Sequence, residues 1–345
     1  MAKLIIGIDF SKRKMNFCCM DSQDMRVLLE GEVENSRNGC TEMTGQLRAL
    51  RRGLRSGDLL FCGENTGVYS LETAECLTSR GYFVWLESPL QIKLSSGMRR
   101  GKTDPLDARM IAEYAFRHLD LAKMFAPDGE GLKKLRELHL TRRKLKECET
   151  ALKNFSGSIR GASGTAADAL RSVIAEIKES IRALEKEIRE MLSEEPEFRE
   201  NVSLALSVPG ISWVSAAAII LDTRNFSRFQ TARQYANHAG CVPHEHESGS
   251  SVHRRPRVSR ASNRYINSLL TQGANSLIVH NSQTREYAHR KRAEGKVHAV
   301  IVNNIRNKTI HRLFAVIRDR VPFDWSYSGK YKGPMTSGAT NTDAV

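Results

Sequence analysis

The stretch that decides the fold is LIIGIDF at residues 4–10, an apolar run interrupted only by Asp9. A short apolar run of this kind is typical of a buried strand. Two more strand-like runs follow at residues 15–20 and 27–33, with polar turns between them. Three consecutive strands followed by alternating helices and strands indicate a mixed sheet with helices packed on it. The later elements are predicted as a helix at 42–54, strands at 59–62 and 83–87, and helices at 71–79 and 104–118.

Acidic residues stand at the ends of these elements, where a side chain can face a cleft instead of the core. Asp9 ends the first strand, Glu64 follows the fourth, and Asp104 and Asp107 open the helix after the fifth. The order of elements predicts an α/β ribonuclease-H-like fold for residues 1–125, in which acids at the ends of the first and fourth strands lie side by side. Four acids at one point repel one another unless divalent cations hold them together. The pattern therefore predicts a site for two Mg²⁺ ions, with Mn²⁺ as the alternative, suited to phosphoryl transfer.

Each of these acids alone also has an ordinary structural explanation. Asp104 at an N-cap, Pro105 at the first helical position and Asp107 in the first turn make a good helix start without any metal. Asp9 and Glu64 could equally be turn residues at strand ends. The combination of all four at matching places favours a metal site over capping.

The whole chain is strongly basic. It has 345 residues, 40% of them hydrophobic, and a net charge of +14. From residue 241 to residue 320 there are 15 Lys or Arg against 5 Asp or Glu, so most of the charge lies in the C-terminal third. A protein this basic is expected to bind a polyanion, most often nucleic acid.

Cysteine usage and hydropathy exclude some classes of protein. The seven cysteines are scattered without a C-x-x-C pair, which argues against a zinc ribbon and for a reducing compartment. No run of 18 apolar residues occurs, so we expect no membrane partner. The expected location is the cytoplasm, in association with the nucleoid.

Residues 126–195 have the pattern of two long helices. In the second, apolar residues recur at the heptad spacing of a coiled coil. This seam predicts a coiled-coil linker, either a hairpin within one chain or a subunit-pairing element, and both readings stay open. Residues 196–325 predict a mostly α-helical C-terminal domain, and 326–345 a disordered tail. The seam consists of Leu170, Ile174, Ile177, Ile181, Leu184, Ile188 and Met191.

Two short segments of the C-terminal domain could contact phosphate. VPGI at 208–211 resembles the hairpin of a helix-hairpin-helix motif, in which backbone N–H groups near Gly210 would hold a phosphate. An ordinary Pro-Gly turn is the alternative. The second segment is HEHESGSS at 244–251, which includes Ser248. Clustered arginines follow it and predict a phosphate clamp: Arg254, Arg255, Arg257, Arg260 and Arg264.

A serine held beside such a clamp could attack a phosphodiester. The resulting phosphoserine would conserve the bond and allow religation without ATP. For a serine in a Gly-Ser segment, however, an ordinary loop is the commoner explanation, so the residues alone leave this role open.

In its motifs the chain resembles a known family, the DEDD-type insertion-sequence transposases of the IS-one-ten family, which includes pilin-gene invertases. The N-terminal half carries GID at 7–9, GENTGVY at 63–69 and KTDPLDAR at 102–109. The C-terminal half carries VPGI at 208–211, AGCVP at 239–243 and ESGSS at 247–251. These motifs span nearly the whole chain, in order and at fitting distances.

The resemblance implies a RuvC-like domain at 1–125, a coiled-coil linker at 126–195 and a C-terminal transposase domain at 196–325. It implies that Asp9, Glu64, Asp104 and Asp107 hold Mg²⁺ and that Ser248 is the nucleophile. It further implies a homodimer or homotetramer with a composite site, and a structured guide RNA as a partner beside DNA. Ser262 and Asn267 depart from the family pattern, which has Gly and Arg at these places.

The resulting hypothesis is a site-specific DNA recombinase or transposase of a mobile element. A junction-resolving nuclease of the RuvC type would need the four acids but not Ser248. An actin-like kinase or ATPase would share GID but would need a second Gly-rich phosphate loop, which the sequence does not show. A non-catalytic coiled-coil scaffold that binds nucleic acid would use the acids only as caps.

Overall fold

The computed structural model describes residues 2–95, 104–159, 164–248, 252–258 and 262–324. For Val68, Asp104 and residues 244–257 of the described chain, it defines the backbone alone. The chain forms two compact units, Met1–Pro127 and Asp128–Val345. The predicted disordered tail at 326–345 lies outside the described residues.

Unit 1 is a five-stranded mixed sheet with helices packed on it. The strand order is β3-β2-β1-β4-β5, in which β1, β2 and β3 are antiparallel and β1, β4 and β5 are parallel. This confirms the predicted mixed sheet of three consecutive strands followed by alternation. The elements in chain order are β1 (Leu4–Phe10), β2 (Lys14–Asp21), β3 (Val27–Glu34), α1 (Arg37–Leu50), β4 (Leu59–Glu64), α2 (Val68–Ser79), β5 (Phe83–Glu87), α3 (Pro89–Ser95) and α4 (Asp104–Arg117).

The central strand β1 is buried on both faces. Ile6 and Ile8 join the core that also contains residues of α1 and α2. On the other face, Ile5 packs in a cluster with Ile111 of α4. Because successive side chains of a strand alternate between faces, Gly7 and Asp9 share the face of Ile5. The face of β1 that carries Asp9 is therefore the face covered by α4.

Unit 2 is mostly helical and contains one two-stranded sheet. Strands β6 and β7 form an antiparallel hairpin in a region where the sequence predicts mainly helices. The elements in chain order are α5 (Glu130–Ser158), α6 (Thr165–Glu194), α7 (Pro196–Ser207), α8 (Trp213–Thr223), α9 (Ala232–His238), β6 (Pro243–Ser248), β7 (Val252–Val258), α10 (Arg264–His280), α11 (Ser282–Ala293) and α12 (His298–Asp319).

The two long helices α5 and α6 pack against each other within unit 2. Arg142 of α5 forms an ion pair with Glu185 of α6, at 2.7 Å. Along the heptad seam, Ile188 is buried in a core shared with α7 and α8, whereas Ile174 is half-buried. The predicted long helices are confirmed, but a separate coiled-coil linker between domains is not.

No helix in the described part of the chain is both long and apolar enough to cross a membrane.

Candidate active site

The sheet of unit 1 brings acidic residues together at one edge. β1 and β4 are parallel, and their register runs from Leu4 opposite Leu59 to Ile8 opposite Gly63. The next residue on each strand is an acid, Asp9 on β1 and Glu64 on β4. Residues that face each other in a parallel pair carry their side chains on the same face. Asp9 and Glu64 are therefore neighbours at the carboxyl ends of adjacent strands, as the sequence predicts.

A third acid at this edge was missed by the sequence-based prediction. Glu87 ends β5 and pairs directly with Glu64. We call Asp9, Glu64 and Glu87 the carboxylate edge. The sequence does hold a signal for Glu87, because it ends an apolar strand-like run in the same way as Glu64.

Both carboxylate oxygens of Glu87 accept local hydrogen bonds. Tyr114 of α4 donates its hydroxyl to Glu87 Oε2 at 3.2 Å, and the Ser88 amide donates to Oε1 at 2.6 Å. Burial, together with the Glu87 carboxylate, raises the pKa of Tyr114 to about 12. The phenol therefore stays protonated at neutral pH and remains a donor to Glu87.

Helix α4 is close to the carboxylate edge because β1 has a glycine beneath it. A Cβ on Gly7 would collide with the backbone of Ala108 and of Ala112. Any larger residue at position 7 would push α4 away from the sheet. Asp107 directly precedes Ala108 and is half-buried, and Gly7 lies two residues before Asp9 on the same face. The first turn of α4, which contains Asp104 and Asp107, is thus held near Asp9.

The donor chemistry of this region fits a hard divalent cation. Carboxylate oxygens are ligands that Mg²⁺ prefers, and Asp9 and Glu64 offer two of them side by side. Among the described side chains, no group of three or more His, Cys, Asp or Glu is placed to hold a metal ion. The side chain of Asp104 is outside that set, so the predicted four-acid group falls partly outside the described residues.

The loops next to Asp9 and Glu64 are held by one asparagine. Asn35 donates from Nδ2 to the carbonyl of Ser11 at 2.8 Å and to that of Tyr69 at 2.9 Å. Its Oδ1 accepts from the hydroxyl of Thr73 at 2.8 Å. Ser11 follows β1 and Tyr69 opens α2, so Asn35 fixes the segments that follow both acids. Nothing in the local sequence pattern marks Asn35 for this role.

In unit 2, Ser248 is the last residue of β6 and pairs with Val252, the first residue of β7. It therefore lies at the tip of the hairpin, not in an irregular loop. Arg254 and Arg257 are on β7, where they pair with His246 and His244. Arg255 also lies on β7, and Arg264 is exposed at the start of α10. Arg260 lies outside the described residues.

The chain between His238 and Asn263, which includes β6 and β7, is called the hairpin segment. Its two ends are joined through Asp222 near the end of α8. His238, the last residue of α9, places Nε2 3.0 Å from Asp222 Oδ1. Asn263, the N-cap of α10, donates from Nδ2 to the same oxygen at 3.1 Å. The backbone N–H of Asn263 also donates to the carbonyl of His238 at 2.8 Å. The carboxylate of Asp222 therefore holds both ends of the segment that includes β6 and β7.

The Pro209-Gly210 turn between α7 and α8 has a clear structural role. Gly210 has a φ of +87°, which favours glycine. A Cβ on Gly273 of α10 would collide with the carbonyl of Gly210, so the two glycines let the turn and the helix approach closely. The predicted phosphate contact near Gly210 stays a prediction.

Two parts of the chain match families of transposases. Residues 6–157 match the DEDD transposase family of IS110, and residues 202–289 match the family described as Transposase IS116/IS110/IS902. The pilin gene-inverting protein of Moraxella bovis is 27% identical over 94% of this chain and 98% of its own length. An insertion element IS110 protein of Streptomyces coelicolor is 29% identical over 44% of this chain and 36% of its own length.

Among solved structures, the chain is similar to RuvC of Thermus thermophilus in complex with a Holliday junction substrate. The similarity has a TM-score of 0.27 at 14% identity, and it covers 35% of this chain and 99% of the RuvC chain. The two family matches together cover more than half of the chain, one over the carboxylate edge and one over the hairpin. The chain therefore belongs to the IS110 family of DNA transposases and recombinases, which the sequence motifs predicted.

Proposed function

We propose that this transposase cuts and rejoins DNA through a covalent phosphoserine at Ser248, with Mg²⁺ held by Asp9, Glu64, Asp104 and Asp107. The observation that carries the proposal is the register of β1 and β4, which makes Asp9 and Glu64 neighbours at one sheet edge. A pair of adjacent carboxylates at a strand end is costly without a cation and useful with one.

The proposed reaction conserves the phosphodiester bond. The Ser248 Oγ attacks the scissile phosphorus while a base accepts its proton. The bond from phosphorus to the 3′-oxygen breaks, and the leaving oxygen takes up a proton to become a 3′-hydroxyl. A different 3′-hydroxyl then attacks the phosphoserine, which rejoins DNA and restores the serine. Bound Mg²⁺ would supply positive charge that stabilises the developing charge on the phosphate oxygens.

The arginines that follow Ser248 would hold the DNA backbone. We assign phosphate contacts to Arg254, Arg255, Arg257, Arg260 and Arg264, and a backbone N–H contact to the turn at Gly210. Guanidinium groups bind phosphate oxygens in pairs of hydrogen bonds and so fix orientation as well as affinity. The basic surplus of the C-terminal third would serve a structured guide RNA as well as DNA.

The partners can be tested directly on the purified protein. If a guide RNA is part of the complex, nuclease-treated protein should lose recombination and regain it when the co-purified RNA is added back. The proposed homodimer or homotetramer should appear in light scattering as two or four chain masses. A monomer that still recombines DNA would contradict that part of the proposal.

The central experiment is covalent trapping. Protein, Mg²⁺, co-purified RNA and labelled DNA with the element ends are mixed, and a denaturant-resistant adduct is measured. Wild type is expected to form the adduct, and both Ser248→Ala and Asp9→Ala are expected to lose it. Ser251→Ala is the matched control for the serine in the same segment. Glu72 is an exposed acid of unit 1, and Glu72→Gln is the control for Asp9→Ala that should leave the adduct intact.

Two other outcomes would contradict the proposal. Cleavage without an adduct, insensitive to Ser248→Ala but lost in Asp9→Ala, would indicate a nuclease that uses water. An adduct that survives Ser248→Ala would place the nucleophile at another residue.

A further inference from the structure

The segment that leads into β6 is held by side-chain amides from two helices. Asn267 of α10 donates from Nδ2 to the carbonyl of Ala239 at 3.1 Å and to that of Gly240 at 3.2 Å. Asn303 of α12 donates from Nδ2 to the carbonyl of Cys241 at 3.0 Å. Three successive carbonyls, just before Ser248's strand begins, are therefore bound by two asparagines.

Arg306 of α12 orients both of these asparagines. Its Nη1 donates to Asn267 Oδ1 at 2.5 Å and to the hydroxyl of Thr271 at 3.0 Å. Its Nη2 donates to Asn303 Oδ1 at 2.6 Å. An amide side chain has one accepting and one donating end. Because the guanidinium occupies the accepting ends, the donating ends of both asparagines are turned toward the carbonyls.

The backbone at this point also has little freedom. Gly240 has a φ of +70°, and a Cβ on it would collide with the side chain of Ser262. Ser262 lies directly before Asn263, which is already bound to Asp222. The segment that leads into β6 is thus restricted in two ways. The amides of Asn267 and Asn303 bind its carbonyls, and the side chain of Ser262 lies close to Gly240.

Apolar packing also holds the two helices together. Ile266 of α10 and Ile310 and Leu313 of α12 are buried in one apolar core. Apolar burial of this kind supplies the main stabilisation between helices. Apart from the bond to Thr271, which links α12 to α10, the hydrogen bonds of Arg306 act through Asn267 and Asn303 on residues 239–241, shortly before β6.

We propose that Arg306 is a positioning residue for Ser248: by orienting Asn267 and Asn303 it fixes the entry of β6 and so sets where the serine meets the scissile phosphate. This rests on the proposed role of Ser248 as the nucleophile. Displacement of a reacting group by about 1 Å can cost about 100-fold in rate. Arg306 would act through this placement without touching DNA.

The test compares two variants of α12. Arg306→Met removes the guanidinium and keeps an unbranched side chain, whereas Lys308→Met removes one exposed positive charge from the same helix. Three quantities are measured for each: the rate of adduct formation at saturating DNA, the affinity for DNA, and Tm. Arg306→Met should slow adduct formation by about 10- to 100-fold, while its affinity for DNA stays within a few-fold of wild type. Lys308→Met should form the adduct at a rate within a few-fold of wild type. Arg306→Lys should be intermediate, because an ammonium cannot bridge both asparagines in the way a guanidinium does.

A second variant guards against loss of folding. Asn303→Ala removes the bond to the Cys241 carbonyl and the bond from Arg306 Nη2, but it keeps the bond between Arg306 and Asn267. It should slow adduct formation in the same direction, by less. An unchanged adduct rate in Arg306→Met, or an equal loss in Lys308→Met, would overturn the proposal. So would a loss that follows Tm and DNA affinity in proportion, because that is the signature of a purely structural role.

Hydrogen exchange separates this proposal from the role of Ser248. Arg306→Met should raise amide exchange in residues 239–248 and leave α7 and α8 as in wild type. If wild type forms no adduct at Ser248, the proposed function fails, and the exchange result alone then decides whether Arg306 fixes this strand. Unchanged exchange in Arg306→Met would overturn the positioning role in either case.

Discussion

The carboxylate edge of unit 1 and the serine hairpin of unit 2 are positioned by different physical means. Asp9 and Glu64 are placed by strand register, because each directly follows Ile8 or Gly63, the last pair of the buried parallel ladder between β1 and β4. Ser248 lies on a two-stranded hairpin whose base is held by side chains, chiefly Asp222, Asn263, Asn267 and Arg306. Backbone register is set by the whole sheet, whereas a side-chain network can be loosened by a single substitution.

This difference predicts where each site is vulnerable. The arrangement of acids at the carboxylate edge should be lost when the packing of α4 on the sheet is disturbed. It should tolerate substitutions of polar groups at the surface. The position of the hairpin should become less well defined when one side-chain amide or carboxylate at its base is removed, although the apolar core keeps unit 2 folded. The following predictions would break or sharpen that contrast, and they run from the largest expected effect to the smallest.

The first prediction concerns the glycine under α4. Gly7→Val should lower the free energy of unfolding of unit 1 by about 3 kcal/mol or more, because the new side chain would meet the backbone of Ala108 and Ala112. Urea unfolding followed by circular dichroism measures this. Gly45→Ala is the matched control: it is exposed on α1 with nothing within 4 Å of the new Cβ, and it should stabilise by about 0.5–1 kcal/mol. A Gly7→Val protein as stable as wild type would contradict the close packing of α4.

The second prediction separates two acids of the carboxylate edge. Glu64→Gln should slow adduct formation by about 100- to 1000-fold, because it removes a charge next to Asp9. Glu87→Gln should change it by less than about 3-fold, since Tyr114 and the Ser88 amide already bind its oxygens. Both variants are compared at equal Mg²⁺ concentration in the trapping assay. Equal losses in the two would mean that position at the edge alone makes an acid catalytic.

The third prediction concerns acid sensitivity near the start of α10. His139 of α5 is buried against the ring of Tyr265, and its desolvation, with Arg142 and Arg143 nearby, lowers its pKa to about 4. The unfolded chain takes up this proton near pH 6.5, but the folded chain does so only near pH 4. The free energy of unfolding should therefore fall as pH falls from about 6.5 to about 4, by up to roughly 3 kcal/mol.

Replacement by leucine tests this assignment. His139→Leu removes the titrating group, so the loss of stability between pH 6.5 and 4 should shrink by the same amount. A comparison at pH 8, where the histidine is neutral in both states, isolates the effect of packing. An unchanged pH dependence in His139→Leu would place the acid sensitivity elsewhere.

The fourth prediction concerns the carboxylate that joins the two ends of the hairpin segment. Asp222→Ala should lower the free energy of unfolding of unit 2 by about 2 kcal/mol, because His238 and Asn263 would lose a charged acceptor. Glu179→Ala is the control, since it removes an exposed ion pair with Arg182 and should cost about 0.5 kcal/mol or less. Equal costs in urea unfolding would show that Asp222 is a surface group without a special role.

The sequence reveals the carboxylate edge better than the hairpin, and the reason is physical. Apolar runs that end on acids predict both the strands and the places of Asp9 and Glu64, because the extent of a buried strand can be read from the local sequence pattern. β7 is harder to predict because it contains Pro256, and proline within a run argues against a strand. The structure accommodates it with an irregular register between His244 and His246 on the partner strand.

The contacts that hold the hairpin base have no local pattern at all. Asn267 and Ala239 are 28 residues apart, Arg306 and Asn267 are 39 apart, and Asn303 and Cys241 are 62 apart. Asparagine and arginine on a helix surface are usually solvated, so periodicity cannot distinguish these three. The sequence motif marks Asn267 as unusual, but only the fold shows that its amide is used for backbone carbonyls.

Helix α12 also determines where this protein can be divided. The second family match ends at residue 289, yet Asn303, Arg306 and the core residues Ile310 and Leu313 all lie beyond it. A fragment, fusion or domain exchange that stops at 289 would keep the serine and remove Asn303 and Arg306, which support its strand. A transferable fragment of this chain that carries Ser248 would therefore extend at least through Asp319, the end of α12.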